Sequence, residues 1–213
     1  MRGPTLVVAT QRARTADRLA PTNPIGQCVC LAELIVITGP IGAGKSTVAH
    51  GLTERLRQLG RAVAVVDLDD VFEMGSTWYE PSAGSWQRAQ AVHGALIAAW
   101  LRSGVDAVIA HGPFYTAEDR AALLAELPTG VVQRWVMLLA PFDAALGRVA
   151  DDPDRNLSRD PGFLRASHER FSELLPDIPR CDWVFDTTSR SAEDIAATLG
   201  ASLSALHPEP RPR

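Results

Sequence analysis

Residues 39–47 of the chain read Gly39-Pro40-Ile41-Gly42-Ala43-Gly44-Lys45-Ser46-Thr47. The apolar run Leu34–Thr38 leads into this stretch, and a pattern typical of a helix follows it. The setting is that of a GxxxxGK[ST] loop, which lies between a strand and a helix. Its glycines let backbone N–H groups turn toward an anion, and the positive N-terminus of the helix faces the same point. The stretch therefore predicts a polyphosphate site, with Lys45 on the β- and γ-phosphates and Ser46 on Mg²⁺.

Composition supports a specific role for this lysine. The chain has 213 residues and 21 basic residues, of which Lys45 is the only lysine. Because arginine serves as the basic residue everywhere else, a compact ammonium is needed at this position. The net charge of −4 includes no basic excess, so we expect no nucleic-acid partner.

Short apolar runs alternate with longer helical patterns along the chain. We predict helices at about 45–59, 85–103, 116–126, 142–150, 161–175 and 191–206, the second with His93 and Trp100 on its apolar face. Buried strands separated by helices predict an α/β fold with a five-stranded parallel sheet in three α/β/α layers. Ligands bind beyond the carboxyl ends of such strands. The predicted strands are Leu34–Thr38, Ala62–Asp67, Val105–Ala110, Val132–Leu139 and Trp183–Asp186.

The second strand ends in a cluster of acidic residues. Asp67, Asp69 and Asp70 lie within four residues, and Glu73 follows. Carboxylates this close repel one another unless a cation such as that of a Mg²⁺–ATP complex neutralises them. A strand end beside the γ-phosphate is also where an acceptor hydroxyl needs a base. The alternative is structural, with Asp69 or Asp70 capping the following turn.

The loop and the pattern Asp67-x-Asp69-x-x-x-Glu73 together resemble shikimate kinase and other P-loop small-molecule kinases. Chloramphenicol phosphotransferase, gluconate kinase and adenylylsulfate kinase are among these relatives. The resemblance covers residues 34–206 and implies the P-loop NTPase fold. It also implies that Asp67 supports Mg²⁺ through water and that Asp69 meets the acceptor hydroxyl as the catalytic base.

The same resemblance assigns roles at the later strand ends. Arg148 matches the arginine that the family offers to the adenine ring. The polar segment 151–162 resembles the lid, where Arg155 and Arg159 are candidates to contact the transferring phosphoryl group. His111 follows the predicted third strand at its tip and is a candidate substrate residue. At this place the commonest pattern has an acid and shikimate kinases have three glycines. That departure argues against shikimate as the substrate, and a purely structural histidine is the alternative.

The segment between the acidic cluster and the third strand predicts the acceptor side. Trp78, Tyr79 and Trp86 offer aromatic walls for a compact ring-containing or polyhydroxylated molecule. Arg88 is a candidate clamp for an acidic substituent on that molecule. The alternative for Trp86 is a place in the hydrophobic core.

The ends of the chain differ from its centre. We expect residues 1–33 to be a flexible extension, 34–206 the kinase domain and 207–213 a tail broken by prolines. No apolar run is long enough to span a membrane, and the N-terminal pattern is not that of a secretory signal. Cys28, Cys30 and Cys181 match no zinc spacing and form a poor disulfide framework, which favours the cytoplasm.

Three functions are consistent with these patterns. The first is a kinase that moves the ATP γ-phosphate to a hydroxyl of a metabolite or antibiotic. The second is a nucleotide or nucleotide-sugar kinase of the same fold, including the zeta-toxin type. The third is a regulatory module that binds ATP and hydrolyses it slowly or not at all, against which the Asp67-x-Asp69 element argues.

Overall fold

Five parallel strands form one sheet in the order β2–β3–β1–β4–β5. The computed structural model describes residues 32–76, 83–150 and 157–206. The chain divides into two units at residues 30 and 31, and every described residue belongs to the second. The strands are β1 (Glu33–Thr38), β2 (Val63–Asp67), β3 (Ala107–His111), β4 (Val132–Leu139) and β5 (Trp183–Asp186).

Seven α-helices connect or follow the strands in the described residues. The six predicted helices are present, with ends that differ from the prediction by up to two residues. A further helix, α2, begins directly after β2 and was not predicted as a separate element. The helices are α1 (Lys45–Gln58), α2 (Leu68–Ser76), α3 (Ala83–Arg102), α4 (Ala117–Leu124), α5 (Phe142–Ala150), α6 (Pro161–Leu174) and α7 (Ala192–Leu206).

Helices cover both faces of the sheet because successive strand side chains point in opposite directions. Ile35 and Ile37 of β1 face a cluster that includes Leu52 of α1 and Leu199 of α7. Leu34 and Val36 of the same strand face the opposite cluster, with residues of α2, α3 and α4. Each fully buried aliphatic side chain contributes about 1.5–3 kcal/mol to folding. The fold is therefore the predicted three-layer α/β/α architecture.

Helix α3 follows its predicted apolar face for most of its length. Gln90, His93 and Ile97 are buried, as the spacing predicts. Trp100 is not, because 43% of its surface is exposed. The prediction that Trp100 lies on the buried face is wrong. In the last turns of α3 the buried side chains are those of Ile97, Ala98 and Leu101, so the buried face is turned away from Trp100.

The strand order places the end of β1 at the centre of the sheet. β1 pairs with β3 on one side and with β4 on the other. Connections from β1 and from β4 leave in opposite directions across the sheet, which makes this edge a topological switch point. Asp67, the last residue of β2, lies opposite His111 of β3. Within the described residues, no helix has the length and apolarity that a bilayer crossing requires.

Candidate active site

The loop between β1 and α1 has a backbone that requires glycine. Gly39 has φ of +147° and Gly42 has φ of +75°. A Cβ on Gly39 would lie 2.2 Å from the carbonyl oxygen of Leu138, and one on Gly42 would lie 2.8 Å from the Cβ of Ala145. The loop therefore passes against the end of β4 and against α5 with no room for a side chain.

Lys45 begins α1 and folds back over the loop. Its Nζ donates to the carbonyl oxygens of Gly39 at 2.9 Å and Pro40 at 3.0 Å. Gly44 precedes the helix in the left-handed conformation and gives it no side-chain cap, and the first turn holds no acidic residue. The helix thus presents N–H donors and a positive end without a competing carboxylate, as a phosphate site requires.

Side chains from three other elements hold the loop by its carbonyl groups. The Tyr115 hydroxyl donates to Gly39 at 2.8 Å, and Arg148 donates to Gly42 at 3.0 Å. His168 of α6 contacts the carbonyl oxygen of Ile41 through Nε2 at 2.9 Å, so this nitrogen carries the proton. The loop is thereby tied to the β3–α4 connection, to α5 and to α6.

Sequence reasoning assigned no role to Tyr115 or His168. Tyr115 lies four residues after the end of β3, at the sheet edge where site residues were predicted, so its position was a usable signal. His168 has no such signal, because it lies within an amphipathic helix and is distant in sequence from the loop. Its ring is buried and meets Phe142 edge-on, with centroids 5.8 Å apart.

Arg148 connects the phosphate loop to the segment after β5. Besides its bond to Gly42, the guanidinium donates to the side-chain and backbone oxygens of Thr187 at 2.9 and 2.7 Å. This places Arg148 at the loop, next to the segment after β5. Its contact with an adenine ring stays a prediction.

Asp67 and His111 meet at the ends of neighbouring strands. His111 Nδ1 lies 3.4 Å from Asp67 Oδ1, and His111 is 2% exposed. Burial raises the pKa of Asp67 to about 6, and the charges of Asp69 and Asp70 act in the same direction. Burial lowers the pKa of His111 to about 3, and the charge of Lys45 lowers it further. At neutral pH the contact therefore joins a carboxylate to a neutral imidazole.

Asp69 lies in the first turn of α2 and is exposed. Its backbone N–H donates to Asp67 Oδ1 at 3.0 Å, which holds the two residues together. Burial raises the pKa of the Tyr115 hydroxyl, and the charge of Asp69 acts in the same direction. A carboxylate in the first helical turn is favoured by the helix dipole, so the structural alternative and the predicted chemical role are compatible.

The predicted acceptor residues are only partly described. Trp86 packs against the hydrophobic core, and its ring lies 5.4 Å from that of Phe72. Arg88 is exposed, and its Nη2 lies 3.5 Å from the hydroxyl of Ser85. Trp78 and Tyr79 lie outside the described residues. The substrate roles of all four stay predictions.

The lid is also described only in part. Arg155 lies outside the described residues, and Arg159 is exposed at the end of a short 3₁₀ turn, Leu157–Arg159. Asp160 caps α6 and accepts the N–H of Phe163 at 2.6 Å. The last two residues of the predicted lid, 161 and 162, therefore form the start of α6.

The oxygen donors at this edge suit a magnesium ion. Mg²⁺ binds through one or two protein oxygens together with phosphate and water. Ser46 follows Lys45 in the first turn of α1, and Asp67 is a partly buried carboxylate whose pKa is raised by burial. A divalent cation would stabilise the ionised form of that carboxylate, so the residues present fit the predicted ion.

A cavity of about 610 Å³ lies between the end of β4, α6 and the end of β5. Phe142, Arg165, His168 and Asp186 are among its lining residues. It borders the phosphate loop through His168, but Lys45 and the β2 carboxylates do not line it. The cavity therefore does not coincide with the edge where these groups converge.

Comparison with known families agrees with this geometry. A family model described as an AAA domain matches residues 34–171, more than half of the chain and including the phosphate loop and Asp67. The chain belongs to this family. The match includes β1 to β4 and extends to Phe171 in α6.

Solved structures with the same fold include several kinases. An APS kinase from Mycobacterium tuberculosis in complex with AMPPNP and APS matches with a TM-score of 0.60 and 17% identity, over 82% of this chain and 98% of that one. Shikimate kinase from Acinetobacter baumannii in complex with shikimate matches at 0.55 and 21%, over 84% and 96%. The tunicamycin resistance protein of Deinococcus radiodurans matches at 0.54 and 18%, over 81% and 95%. The predicted resemblance to P-loop small-molecule kinases is confirmed at the level of the fold.

Proposed function

We propose that this chain is a kinase that uses ATP and Mg²⁺ to phosphorylate a hydroxyl group of a small molecule. The acceptor oxygen forms a bond to the γ-phosphorus, the bond from that phosphorus to the β–γ bridging oxygen breaks, and ADP leaves. Asp69 takes the proton of the hydroxyl. Lys45 stabilises the charge that develops on the phosphates.

One observation carries this proposal. At the end of β2 the Asp69 N–H donates to Asp67 Oδ1 at 3.0 Å, so two acidic residues lie together at the carboxyl edge of the sheet from which the loop also leaves. The charge of Lys45 acts on the pKa of Asp67, although burial has the larger and opposite effect. A phosphate loop alone is consistent with nucleotide binding, whereas a proton acceptor beside it is consistent with transfer to an alcohol.

Other residues complete the proposed site. Ser46 and Asp67 would hold Mg²⁺, which supplies charge neutralisation on the phosphates. Arg148 would contact the adenine ring, and Arg155 or Arg159 would reach the transferring group from the lid. His111 contacts Asp67, so we assign it a place beside the β2 carboxylates on the substrate side.

The acceptor side is proposed from Trp78, Tyr79, Trp86 and Arg88, which would enclose a compact acceptor. We propose neither a nucleic-acid nor a membrane partner, because the net charge of −4 offers no basic excess and no apolar run is long enough for a span. The cysteine pattern favours the cytoplasm as the place of reaction.

An ADP-release assay with a panel of acceptors tests the proposal. The panel contains sugars, ring metabolites, aminocyclitol and phenylpropanoid antibiotics, nucleoside monophosphates and nucleotide sugars. Turnover that depends on a non-nucleotide acceptor, with a product heavier by one phosphate in mass spectrometry, supports the proposal. Turnover only with nucleotides or nucleotide sugars favours the second function, and ATP binding without acceptor-dependent turnover favours the regulatory module.

A further inference from the structure

The carbonyl oxygen of Gly39 accepts hydrogen bonds from two side chains at once. Lys45 Nζ lies 2.9 Å away and the Tyr115 hydroxyl 2.8 Å away. The carbonyl oxygen of Pro40 is also shared, between Lys45 Nζ at 3.0 Å and the Ala43 N–H at 3.2 Å. A carbonyl oxygen has two lone pairs, so both are used at each position.

Binding of a nucleoside triphosphate would change these contacts of Lys45. An ammonium group has three N–H donors, and Lys45 directs two of them at the loop carbonyls. Contact with both the β- and the γ-phosphate takes two donors. Lys45 must therefore release at least one loop carbonyl when a triphosphate binds, and a carbonyl left unpaired away from water weakens binding.

We propose that Tyr115 is a positioning residue that keeps the Gly39 carbonyl hydrogen-bonded when Lys45 turns to the nucleotide phosphates. The inference rests on the proposed function, since it takes a nucleoside triphosphate as the ligand of the loop. The Tyr115 hydroxyl would remain as a hydrogen-bond donor to the Gly39 carbonyl oxygen, as the Ala43 N–H would to the Pro40 carbonyl oxygen. The loop can then release its lysine without rearranging.

Tyr115 is held in place from three directions. Its backbone N–H donates to Asp119 Oδ2 at 3.0 Å, and the other oxygen of Asp119 accepts Gln90 Nε2 at 2.7 Å. Its ring meets that of Phe171 in α6 edge-on, with centroids 5.1 Å apart. The preceding residue, Phe114, donates its N–H to the hydroxyl of Thr38 at the end of β1. The phenol is thus fixed against the loop before any ligand arrives.

The hydroxyl is also kept in its donor form. Burial raises the pKa of Tyr115 above its usual value, and the charges of Asp69 and Asp119 raise it further. The phenol therefore carries its proton throughout the pH range in which the protein would be assayed. A carbonyl oxygen can only accept, so a protonated phenol is the form that this contact requires.

A double-mutant cycle tests the inference. The dissociation constant of Mg²⁺–AMPPNP is measured for four full-length chains: wild type, Tyr115→Phe, Lys45→Ala and the double variant. Tyr115→Phe should raise this constant about five- to thirtyfold, the equivalent of about 1–2 kcal/mol for a carbonyl left unpaired. In the Lys45→Ala chain the same change should have less than a twofold effect, because no ammonium leaves Gly39. The chains that carry Lys45→Ala should bind weakly, so their dissociation constants are obtained from the shift of the melting temperature with ligand concentration.

Two further readouts separate this role from a structural one. With the acceptor found above, Tyr115→Phe should raise the KM for ATP by a similar factor and leave kcat within about threefold. Ser204→Ala, which removes a distant hydroxyl that donates to a backbone carbonyl, is the matched control. It should bind AMPPNP within twofold of the wild type. An unfolded fraction in any variant would lower the number of sites per chain measured by calorimetry, without changing the dissociation constant of the folded chains.

The outcomes distinguish this inference from the proposed function. If the folded wild type does not bind Mg²⁺–AMPPNP, the proposed function fails. If it binds, but Tyr115→Phe binds within twofold of the wild type or loses the same factor in both lysine backgrounds, only the role of Tyr115 is overturned.

Discussion

Lys45 places its ammonium between two carbonyls of the phosphate loop, and nothing else in this chain can replace it. Every other basic residue is an arginine, whose planar fork differs in size and geometry from an ammonium.

Replacement of Lys45 by alanine should lower kcat/KM at least a hundredfold, because it removes the group that we propose neutralises the charge on the phosphates. ADP release with the identified acceptor measures the effect. Arg57→Ala is the matched control, since Arg57 is an exposed cation of the same helix that pairs with Glu54. More than a few per cent of wild-type activity in Lys45→Ala would contradict the assignment.

Asp69→Asn should lower kcat about 10²- to 10⁴-fold and leave ATP binding intact, because an amide cannot accept the proton of the hydroxyl. The comparison variant is Asp70→Asn, a neighbouring exposed carboxylate in the first turn of α2, which should keep at least half of the activity. Steady-state turnover and calorimetry with AMPPNP are measured on both. An unchanged kcat in Asp69→Asn would move the base elsewhere, with Asp67 as the next candidate.

At the scale of single residues, sequence reasoning could propose only groups that lie within short motifs. Lys45, Ser46, Asp67 and Asp69 were predicted from local patterns at strand ends. The roles of Tyr115, His168 and the Asp67–His111 contact depend on which elements become neighbours. A side chain in α6 that holds a carbonyl of the phosphate loop leaves no local trace in the sequence.

At the scale of elements, the turn from β1 into α1 depends on close packing against β4. Gly39→Ala should disrupt the loop, because the added Cβ would lie 2.2 Å from backbone, the carbonyl oxygen of Leu138. Gly60→Ala is the matched control: it too has a positive φ, +78°, but nothing lies within 4 Å of its added Cβ. We expect the control to lose about 1–2 kcal/mol of stability from backbone strain alone.

Urea unfolding and AMPPNP binding measure this comparison. Gly39→Ala should lose more stability than Gly60→Ala and should bind the analogue at least tenfold more weakly, whereas Gly60→Ala should bind it like the wild type. Equal affinities in the two variants would show that the loop can move away from β4 without consequence.

The elements themselves were largely predictable, since each has its own hydrophobic period. All five predicted strands are present, although β3 runs from Ala107 to His111 rather than from 105 to 110. Helix α2 escaped prediction because it begins at Leu68, directly after the strand, with no glycine or proline to mark the change. Its acidic first turn, Asp69 and Asp70, was interpreted mainly as a ligand cluster, and it also begins a helix.

At the scale of the whole molecule, a buried histidine makes stability depend on pH. Burial lowers the pKa of His93 to about 4, while its Nε2 bonds to the carbonyl oxygen of Val66. Between pH 6.5 and 4 the unfolded chain binds a proton at this residue that the folded chain does not. Stability should therefore fall as the pH falls through this range, by about 3 kcal/mol from this group.

The measurement is the free energy of urea unfolding at intervals from pH 7.5 to 4 for the wild type and His93→Gln. Glutamine does not titrate and can donate to Val66, so the variant should lose about 3 kcal/mol less over this range. His111 is present in both chains, so the difference between their profiles reports mainly on His93; the charge of His93 is only the last of the causes that lower the pKa of His111. If the stability profiles of the two chains were parallel, His93 would take up its proton at the same pH in the folded and the unfolded chain, and the prediction would be wrong.

The sequence by itself determined the layered α/β architecture, the phosphate loop and the acidic strand end. These depend on periodicity and on motifs of a few neighbouring residues, in which local chemistry is complete. Only the tertiary structure decided which groups hold the loop: Tyr115, Arg148 and His168 reach its carbonyls from elements that are distant along the chain. Long-range contacts of this kind arise from strand order and helix packing. They are stable only when the whole domain is folded, so no single segment of the sequence encodes them.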